Sequence, residues 1–460
     1  MKKILLLIIG LLGLTMAMRA QSVKPFQEGD RAVFLGNSIT DGGHYHSYIW
    51  LYYMTRFPEM NLRVFNAGIG GDTAYDMNKR LDGDVFSKRP TVLMVTFGMN
   101  DSGYQEYKGD HAKEFGDSRY NECYKNFQAM EGRFKALPDT RIVMMGSSPF
   151  DETVVIKDNI PLKGKNAVMK RIGAFQQESA MNNHWEFTDL NQPMTAINEH
   201  FQQKDSTFTI CGNDRIHPDN NGHMIMAYLF LKAQGFVGKE VADVEINAAN
   251  NTVVKSVNSE ISAIKRNGKD FQFNYLAYAL PYPLDTVARG WDAKKSQAEA
   301  LKVIPFMEEM NQEVLKVKGL SGNYKLLIDD QEIGTWSADE LAKGINLAQE
   351  SKTPQYQQAL ALMHLNEYRW EIEREFRQYA WFQFGFFQGK GLLFADNRKA
   401  IEVMDQNLSN NIWLAIQRNL YAKMIYPEVR LAREKEMELL IETIYNANKP
   451  IKRVVTLRRL

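Results

Sequence analysis

Residues 33–43 read VFLGNSITDGG, and this stretch decides the fold of the first half of the chain. Its apolar start is typical of a buried strand, and the polar residues that follow predict that the strand ends just before Ser38. Four later stretches repeat a short, nearly continuous apolar run, which is typical of parallel strands covered on both faces. These runs are LRVFNAG (62–68), TVLMVTFG (91–98), RIVMMGSS (141–148) and HWEFTDL (184–190).

Longer amphipathic runs separate the predicted strands, for example YIWLYYMTRF (48–57) and NAVMKRIGAFQQESAMNN (166–183). Short buried strands that alternate with helices predict βα units and a parallel sheet. We therefore expect an α/β domain at 21–240, a three-layer α/β/α arrangement around a doubly wound parallel sheet.

Polar residues cluster immediately after the predicted strands, at the sheet edge where such folds bind ligands. Ser38 follows the first strand, GIGGDT (68–73) the second and GMND (98–101) the third. Much later, NDRIHPDNNGH (213–223) brings Asp214 three residues before His217. The topology predicts that these groups meet at one edge of the sheet.

The residue types in this set fit nucleophilic catalysis on a carbonyl. A serine hydroxyl needs a base to remove its proton, and a histidine base needs an acidic partner to hold its tautomer. Ser38, His217 and Asp214 supply these three roles. The developing oxyanion needs donors, and the backbone N–H of Gly71 and the side-chain amide of Asn100 are of the right type.

The blocks GNSIT, NAGIGGDT, GMND and DRIHPD, in this order, resemble the four motifs of the SGNH (GDSL-like) hydrolases over about residues 30–235. The resemblance implies a flavodoxin-like fold, Ser38 as nucleophile, Asp214 and His217 as its partners, and Gly71 and Asn100 in the oxyanion hole. It adds the backbone N–H of Ser38 as a third oxyanion donor. Asn37 departs from the family pattern, which more often has aspartate there.

Other ligand-binding motifs fit the sequence poorly. GIGGDT lacks the last glycine of a dinucleotide loop, because Thr73 stands in that position, and there is no phosphate-binding P-loop motif. No zinc motif surrounds His217 or His223, so we expect no metal and no cofactor. We expect His223 on a helix surface or behind the site, and His44 and His46 at the wall or rim of the cleft.

Composition describes an ordinary folded protein: 460 residues, a net charge of +1 and 44% hydrophobic residues. The charge composition shows no excess of basic residues of the kind that binds nucleic acid, so we expect no nucleic-acid partner. Residues 1–20 have two lysines, an apolar run and a small residue at the end, which predicts a signal peptide and export to the periplasm or the extracellular space. We expect no stable membrane anchor in the mature chain, and Cys123 and Cys211 either pair in a disulfide or stay free.

Residues 241–460 form a predicted accessory domain with β-hairpins followed by long helices. Hairpins are predicted at 261–278, around Asn267-Gly268, and at 322–336. SADE (337–340) predicts a capping box, and Thr353-Pro354 predicts a helix start. The aromatic run YAWFQFGFF (379–387) fits either a packed core or a sugar-stacking surface, and the basic residues 449–460 fit a loose or edge-pairing tail.

Together these features predict an exported serine esterase that works through an acyl-enzyme, with O-deacetylation of a carbohydrate as the expected reaction. Two alternatives stay open: a lipase-like esterase for longer acyl chains, and a glycan-binding protein without turnover. The second half is expected to close one side of the cleft, to dock a polymeric substrate or to mediate oligomerisation. The oligomeric state and the acyl group are not specified by the sequence.

Overall fold

The computed structural model describes residues 23–289 and 293–460. Its first half is built on a five-stranded parallel sheet with the order β2-β1-β3-β4-β5. The strands are β1 (Arg31–Gly36), β2 (Arg63–Gly68), β3 (Val92–Val95), β4 (Arg141–Gly146) and β5 (Glu186–Asp189). β2 to β5 lie within the predicted runs, β1 starts two residues before the stretch 33–43, and the predicted parallel α/β fold is confirmed.

Seven helices accompany this sheet: α1 (Ser38–Asp41), α2 (Tyr45–Arg56), α3 (Ala74–Arg80), α4 (Ala112–Lys135), α5 (Lys165–Asn182), α6 (Asn191–Gln202) and α7 (Asn220–Ala233). The connection from β1 to β2 runs in one direction along the sheet, and the later connections run in the other. Because parallel crossovers are right-handed, α2 lies on one face and α3, α4 and α5 lie on the opposite face. Helix α7 packs against α2, which completes the three layers.

The second half contains two further sheets. One has the order β13-β10-β6-β7 and the other the order β12-β11-β14-β9-β8. Their strands are β6 (Ala242–Asn247), β7 (Thr252–Val257), β8 (Ser259–Asn267), β9 (Asp270–Ala277), β10 (Glu313–Lys318), β11 (Asn323–Ile328), β12 (Gln331–Ser337), β13 (Ile345–Asn346) and β14 (Arg453–Arg459). Strands β8 and β9 form one predicted hairpin, and β11 and β12 form the other.

The expectation of a loose or edge-pairing tail at 449–460 is wrong. Strand β14 lies in the interior of its sheet and pairs with β9 on one side and β11 on the other. Its alternating pattern explains this position, because Val455 and Leu457 are both fully buried in the core of the accessory sheets.

Six helices complete the second half: α8 (Phe306–Met310), α9 (Ala338–Lys343), α10 (Pro354–Ala380), α11 (Arg398–Asp405), α12 (Ile412–Met424) and α13 (Pro427–Ala447). Ser337 and Glu340 form the predicted capping box of α9, and Thr353 caps α10 with Pro354 in its first turn. Helices α10 and α13 share the hydrophobic core of the parallel-sheet half through Leu362 and Ile444, which are fully buried. The core of the parallel-sheet half therefore includes residues from both sides of the predicted boundary at 240/241, whereas the accessory sheets have a core of their own.

The aromatic run at 379–387 continues α10 as a π-helical segment, Trp381–Phe387. Phe382 and Phe387 are fully buried and pack against Tyr421 of α12. The core interpretation is confirmed for these side chains. Trp381 differs, because it faces a cavity described below.

Cys123 and Cys211 are both free and buried, so the disulfide alternative does not hold. The predicted signal peptide at 1–20 lies outside the described residues. Among the helices at 23–289 and 293–460, none has both the length and the apolar character needed to cross a bilayer.

Glu313 at the start of β10 gives the accessory half a pH-dependent stability. Burial raises the pKa of this fully buried carboxyl to about 7, although it accepts hydrogen bonds from Tyr275 and Gln355 at 2.9 Å each. Between its unfolded pKa near 4.5 and about 7, the folded protein holds a proton that the unfolded chain has released. The contribution of Glu313 to stability therefore falls as pH rises through this window.

We expect the free energy of unfolding of the wild type to fall by about 2 kcal/mol more between pH 5 and pH 8 than that of Glu313→Gln. Chemical denaturation at several pH values measures this difference. Glu308→Gln, at an exposed position nearby, is the matched control and should follow the wild type. Parallel pH profiles for the wild type and Glu313→Gln would contradict the prediction.

Candidate active site

Ser38 is the first residue of the short helix α1, directly beyond the carboxyl end of β1. Asn37 caps this helix, and its side-chain oxygen accepts a hydrogen bond from the Ile39 N–H at 3.1 Å. Asparagine thus replaces the aspartate expected at this position and still provides the acceptor that a helix start requires. The cap fixes the turn that presents the Ser38 hydroxyl at the edge of the sheet.

Ser38, His217 and Asp214 form a continuous hydrogen-bonded chain. His217 Nε2 lies 2.7 Å from Ser38 Oγ, and His217 Nδ1 lies 2.5 Å from Asp214 Oδ2. The other carboxylate oxygen of Asp214 accepts from the backbone N–H groups of Ile216 and His217, each at 2.9 Å. The loop that carries both residues is therefore held by the same carboxylate that orients the imidazole.

The environment of Asp214 favours its ionised form. Burial by itself would raise the pKa of this carboxyl, but the hydrogen bond and charge of His217 outweigh burial and lower the pKa below its ordinary value. An ionised carboxylate on Nδ1 holds the imidazole with Nε2 toward Ser38. In this orientation Nε2 is ready to accept the Ser38 proton.

Gly71 and Asn100 lie in the two loops that follow β2 and β3. Gly71 has a φ of +88°, a left-handed conformation that favours glycine. The Asn100 side-chain amide donates to the Asp72 carbonyl at 2.9 Å, and its oxygen accepts from the Tyr104 hydroxyl at 2.7 Å. These two bonds fix the orientation of the amide, so its nitrogen faces the loop that contains Gly71.

A cavity of about 330 Å³ opens over these groups. The predicted residues Ser38, Gly71, Asn100 and His217 all line it, and Asp214 contacts His217. Asp41 and Gly70 of the first half line it too, and the second half of the chain supplies residues that sequence reasoning missed: Arg374, Gln378 and Trp381 from α10 and its continuation, and Trp413 and Gln417 from α12. The only signal for them was the aromatic run that contains Trp381.

Helix α10 also contacts the loops that carry the predicted site. Arg377 donates to the Gly68 carbonyl at 2.9 Å and makes a bidentate pair with Asp84 at 2.8 and 2.7 Å. Glu373 accepts from the Asn66 N–H at 2.7 Å. Both side chains are buried, so these charge-assisted bonds are shielded from water. The accessory helix therefore fixes the end of β2, where the Gly71 loop begins.

Asp84 is the centre of this buried network. Besides Arg377, it contacts Arg80 at 2.5 Å and Lys88 at 2.7 Å. Burial favours its neutral form, but the positive charges of Arg377, Lys88 and Arg80 prevail and hold its pKa well below the ordinary range. Arg80 in turn donates to Asp72 at 2.6 Å and to the Gly36 carbonyl at 3.1 Å. The Asp84 carboxylate thus connects α10 to the chain segments that lead into Ser38 and Gly71.

The loop that carries Asn100 has its own support from Lys165 at the start of α5. Its ammonium donates to the carbonyls of Met99 and Gly103 and to the Ser102 hydroxyl, at 2.5 to 2.6 Å. It also lies 4.0 Å from the centre of the Tyr104 ring, whose hydroxyl orients Asn100. Lys165 therefore fixes both the loop and the aromatic side chain that supports the amide.

The remaining histidines lie away from the Ser38 cavity. His223 and His46 are buried, and burial lowers the pKa of His46 to about 4. The expectation of a helix-surface position for His223 is therefore wrong, because α7 is buried almost throughout. His44 lines a second cavity next to Arg374. Within the part of the chain that the structure describes, there is no group of three or more metal-ligating side chains.

Comparison with known proteins agrees with this fold. The GDSL-like Lipase/Acylhydrolase family model matches residues 34–225, and the model of the diltiazem deacetylase C-terminal helical domain matches residues 360–449. The chain belongs to the GDSL-like (SGNH) acylhydrolases and carries a helical C-terminal extension. It is an enzyme that hydrolyses carboxylic esters.

The solved structure of a gut microbial diltiazem-metabolizing enzyme is 71% identical, covers 96% of this chain and 100% of its own, and superposes with a TM-score of 0.94. An acetylxylan esterase of Geobacillus stearothermophilus is 25% identical over 228 residues, which are 45% of this chain and 95% of that protein. Its solved structure is 23% identical, covers 46% of this chain and 96% of its own, and has a TM-score of 0.37.

Proposed function

We propose that this protein is an exported serine esterase that removes acetyl groups from O-acetylated carbohydrates, with Ser38 as the nucleophile. The observation that carries the proposal is the hydrogen-bonded chain from Ser38 through His217 to Asp214, with distances of 2.7 and 2.5 Å. These are the contacts through which a histidine activates a serine and a carboxylate orients the histidine.

In the first half-reaction the Ser38 oxygen attacks the ester carbonyl while its proton moves to His217 Nε2. The carbonyl oxygen becomes an oxyanion, which accepts hydrogen bonds from the backbone N–H groups of Ser38 and Gly71 and from the Asn100 amide. The C–O bond to the alcohol then breaks, and the alcohol oxygen takes the proton from His217. Ser38 is left as an acyl ester.

In the second half-reaction a water molecule attacks this acyl ester and gives its proton to His217. The same three donors hold the second oxyanion. When the intermediate collapses, the acid leaves and the proton returns from His217 to the Ser38 oxygen. Asp214 stays ionised throughout and stabilises the imidazolium that forms in each half-reaction.

Polar side chains in the cavity wall support a short acyl group and a hydroxyl-rich alcohol. Asp41, Arg374, Gln378 and Gln417 offer donors and acceptors, and Trp381 offers an aromatic face. A few polar groups around an aromatic surface suit a sugar better than a long hydrocarbon chain. The names of the relatives support the acetyl group, since one is an acetylxylan esterase and one matching domain belongs to a diltiazem deacetylase.

A second candidate substrate is an acetyl ester of an aromatic alcohol. It is favoured by the 71% identity to a diltiazem-metabolizing enzyme over nearly the whole chain. Trp381 and Trp413 give the cavity two indole side chains that suit such an alcohol. Export rests on the N-terminal sequence pattern at 1–20 and is tested by the location of the mature protein in cell fractions.

The proposal predicts selectivity for acetyl esters. Purified mature protein should hydrolyse 4-nitrophenyl acetate with kcat/KM at least about tenfold above that for 4-nitrophenyl octanoate, because a long alkyl chain would desolvate Arg374, Gln378 and Gln417 without giving them hydrogen-bond partners. Acetylated xylose and diltiazem, assayed by acetate release, separate the two substrate classes. A preference for the octanoate ester would overturn the acetyl assignment and favour the lipase-like alternative.

A further inference from the structure

A second cavity of about 430 Å³ lies beside the Ser38 cavity. The two cavities share Arg374, and they are lined by consecutive residues of the chain, Asp41 in the first and Gly42 in the second. The second cavity is therefore next to the first along helix α10. A substrate longer than one sugar unit can therefore extend from the Ser38 cavity into the second cavity.

The floor of this second cavity contains a buried, polar aromatic pair. The His44 ring stacks on the Trp370 ring with centroids 3.9 Å apart, and the Trp370 indole N–H donates to the Gly43 carbonyl at 3.1 Å. His44 is only 1% exposed, and its Nε2 lies 3.2 Å from a Glu367 carboxylate oxygen. Among the charged groups that a ligand can reach in this cavity are Glu371, which is exposed, and Arg374, which is a quarter exposed.

Charged side chains of both signs surround this floor. Arg289 lies 2.8 Å from Asp285 and 3.9 Å from Glu367, and Arg374 lies 3.8 Å from Asp41. Glu371, at the exposed end of the cavity, adds a carboxylate acceptor. The lining itself holds two arginines and two glutamates, and Asp285 and Asp41 pair with the arginines from outside it. This pattern suits a neutral ligand with many hydroxyl groups and disfavours an acyl chain or a strongly charged group.

We propose that this cavity is a distal subsite that binds a neighbouring, unacetylated sugar unit of an oligosaccharide whose acetylated unit occupies the Ser38 cavity. The inference rests on the proposed carbohydrate function and deepens it, because it makes the preferred substrate an oligosaccharide. Hydroxyl groups of the distal sugar bond to the carboxylate of Glu371 and to the Arg374 guanidinium.

Binding tests this subsite without turnover. In a Ser38→Ala background, acetylated xylotetraose is titrated by calorimetry and compared with acetylated xylose. We expect the tetrasaccharide to bind at least about tenfold more tightly, since one or two hydrogen bonds to charged groups are worth that much. Adding Glu371→Trp, which fills the exposed end of the cavity, should remove this advantage. Adding Tyr368→Ala, at a 58% exposed position of the same helix, should not change it.

Equal affinity for the two sugars, or an advantage that survives Glu371→Trp, would overturn the distal subsite. So would the absence of measurable binding of the tetrasaccharide. Hydrolysis of 4-nitrophenyl acetate and of acetylated xylose by the wild type is measured in parallel. If affinity does not depend on sugar length but the wild type hydrolyses both esters, only the subsite is overturned. If the wild type is inactive but still binds the tetrasaccharide through this cavity, only the proposed catalysis is overturned.

Discussion

Ser38→Ala is expected to lower kcat for 4-nitrophenyl acetate by about 10⁶-fold, because removal of an activated serine leaves only the oxyanion donors and binding to act on the ester. The Ser38 oxygen lies 2.7 Å from His217 Nε2, close enough to pass its proton to the imidazole. His217→Ala should cost about as much, and the double variant should be no worse than either single variant, since the two residues act as a unit. Steady-state kinetics on purified variants measures these losses.

Asp214→Asn provides a graded control. The amide keeps an oxygen for the backbone N–H groups of Ile216 and His217 but favours the wrong imidazole tautomer, so we expect a loss of about 10⁴-fold. A folded Ser38→Ala protein that keeps more than about a hundredth of wild-type kcat would contradict the assigned nucleophile. Because Ser38 packs at the edge of the sheet, the melting temperatures of wild type and Ser38→Ala should agree closely.

Asp84→Ala is expected to lower the free energy of unfolding by about 3–5 kcal/mol, because it leaves the charges of Arg80, Lys88 and Arg377 without their shared carboxylate in a buried site. Urea or thermal denaturation measures the loss. Asp82→Ala is the matched control, since Asp82 lies two residues away, is 84% exposed and pairs with Arg133 at the surface. Its loss should stay below about 1 kcal/mol.

Asp84→Ala should also reduce kcat in the fraction of the variant protein that remains folded. Arg377 and Arg80 hold the carbonyls of Gly68 and Gly36, at the ends of the strands that precede the Gly71 loop and Ser38. A shift of these loops by about 1 Å costs roughly 10²-fold in rate. Equal stability for Asp84→Ala and Asp82→Ala would contradict the role of the buried network.

The sequence was informative where function depends on residues that directly follow strands. Ser38, Gly71 and Asn100 each lie within five residues of the end of a strand of one parallel sheet, and the geometry of that sheet brings such positions together. Asp214 and His217 were predictable because they lie three residues apart and orient each other locally. In each case, closeness along the chain or a shared sheet edge was enough to predict that the residues lie together.

The contribution of the second half could not be predicted in the same way. Trp381 and Gln417 line the Ser38 cavity because α10 and α12 dock against the parallel-sheet half, and no local pattern encodes that docking. The tail prediction failed for a related reason. Val455 and Leu457 are part of a short alternating pattern whose partners, β9 and β11, lie far away in the sequence. Long-range pairing of this kind leaves little trace in one sequence.

The interior position of β14 has a consequence for how the protein folds. Its partner β9 is made about 180 residues earlier, so β8 and β9 cannot join β11 and β12 in one sheet until β14 has been synthesised. Helix α13, which completes the core of the parallel-sheet half, is also among the last elements to be made. Pairings this distant in sequence are slow to form and leave strand edges exposed in the meantime. A nascent chain that stops before β14 therefore exposes two unfinished sheet edges, those of β9 and β11, to aggregation.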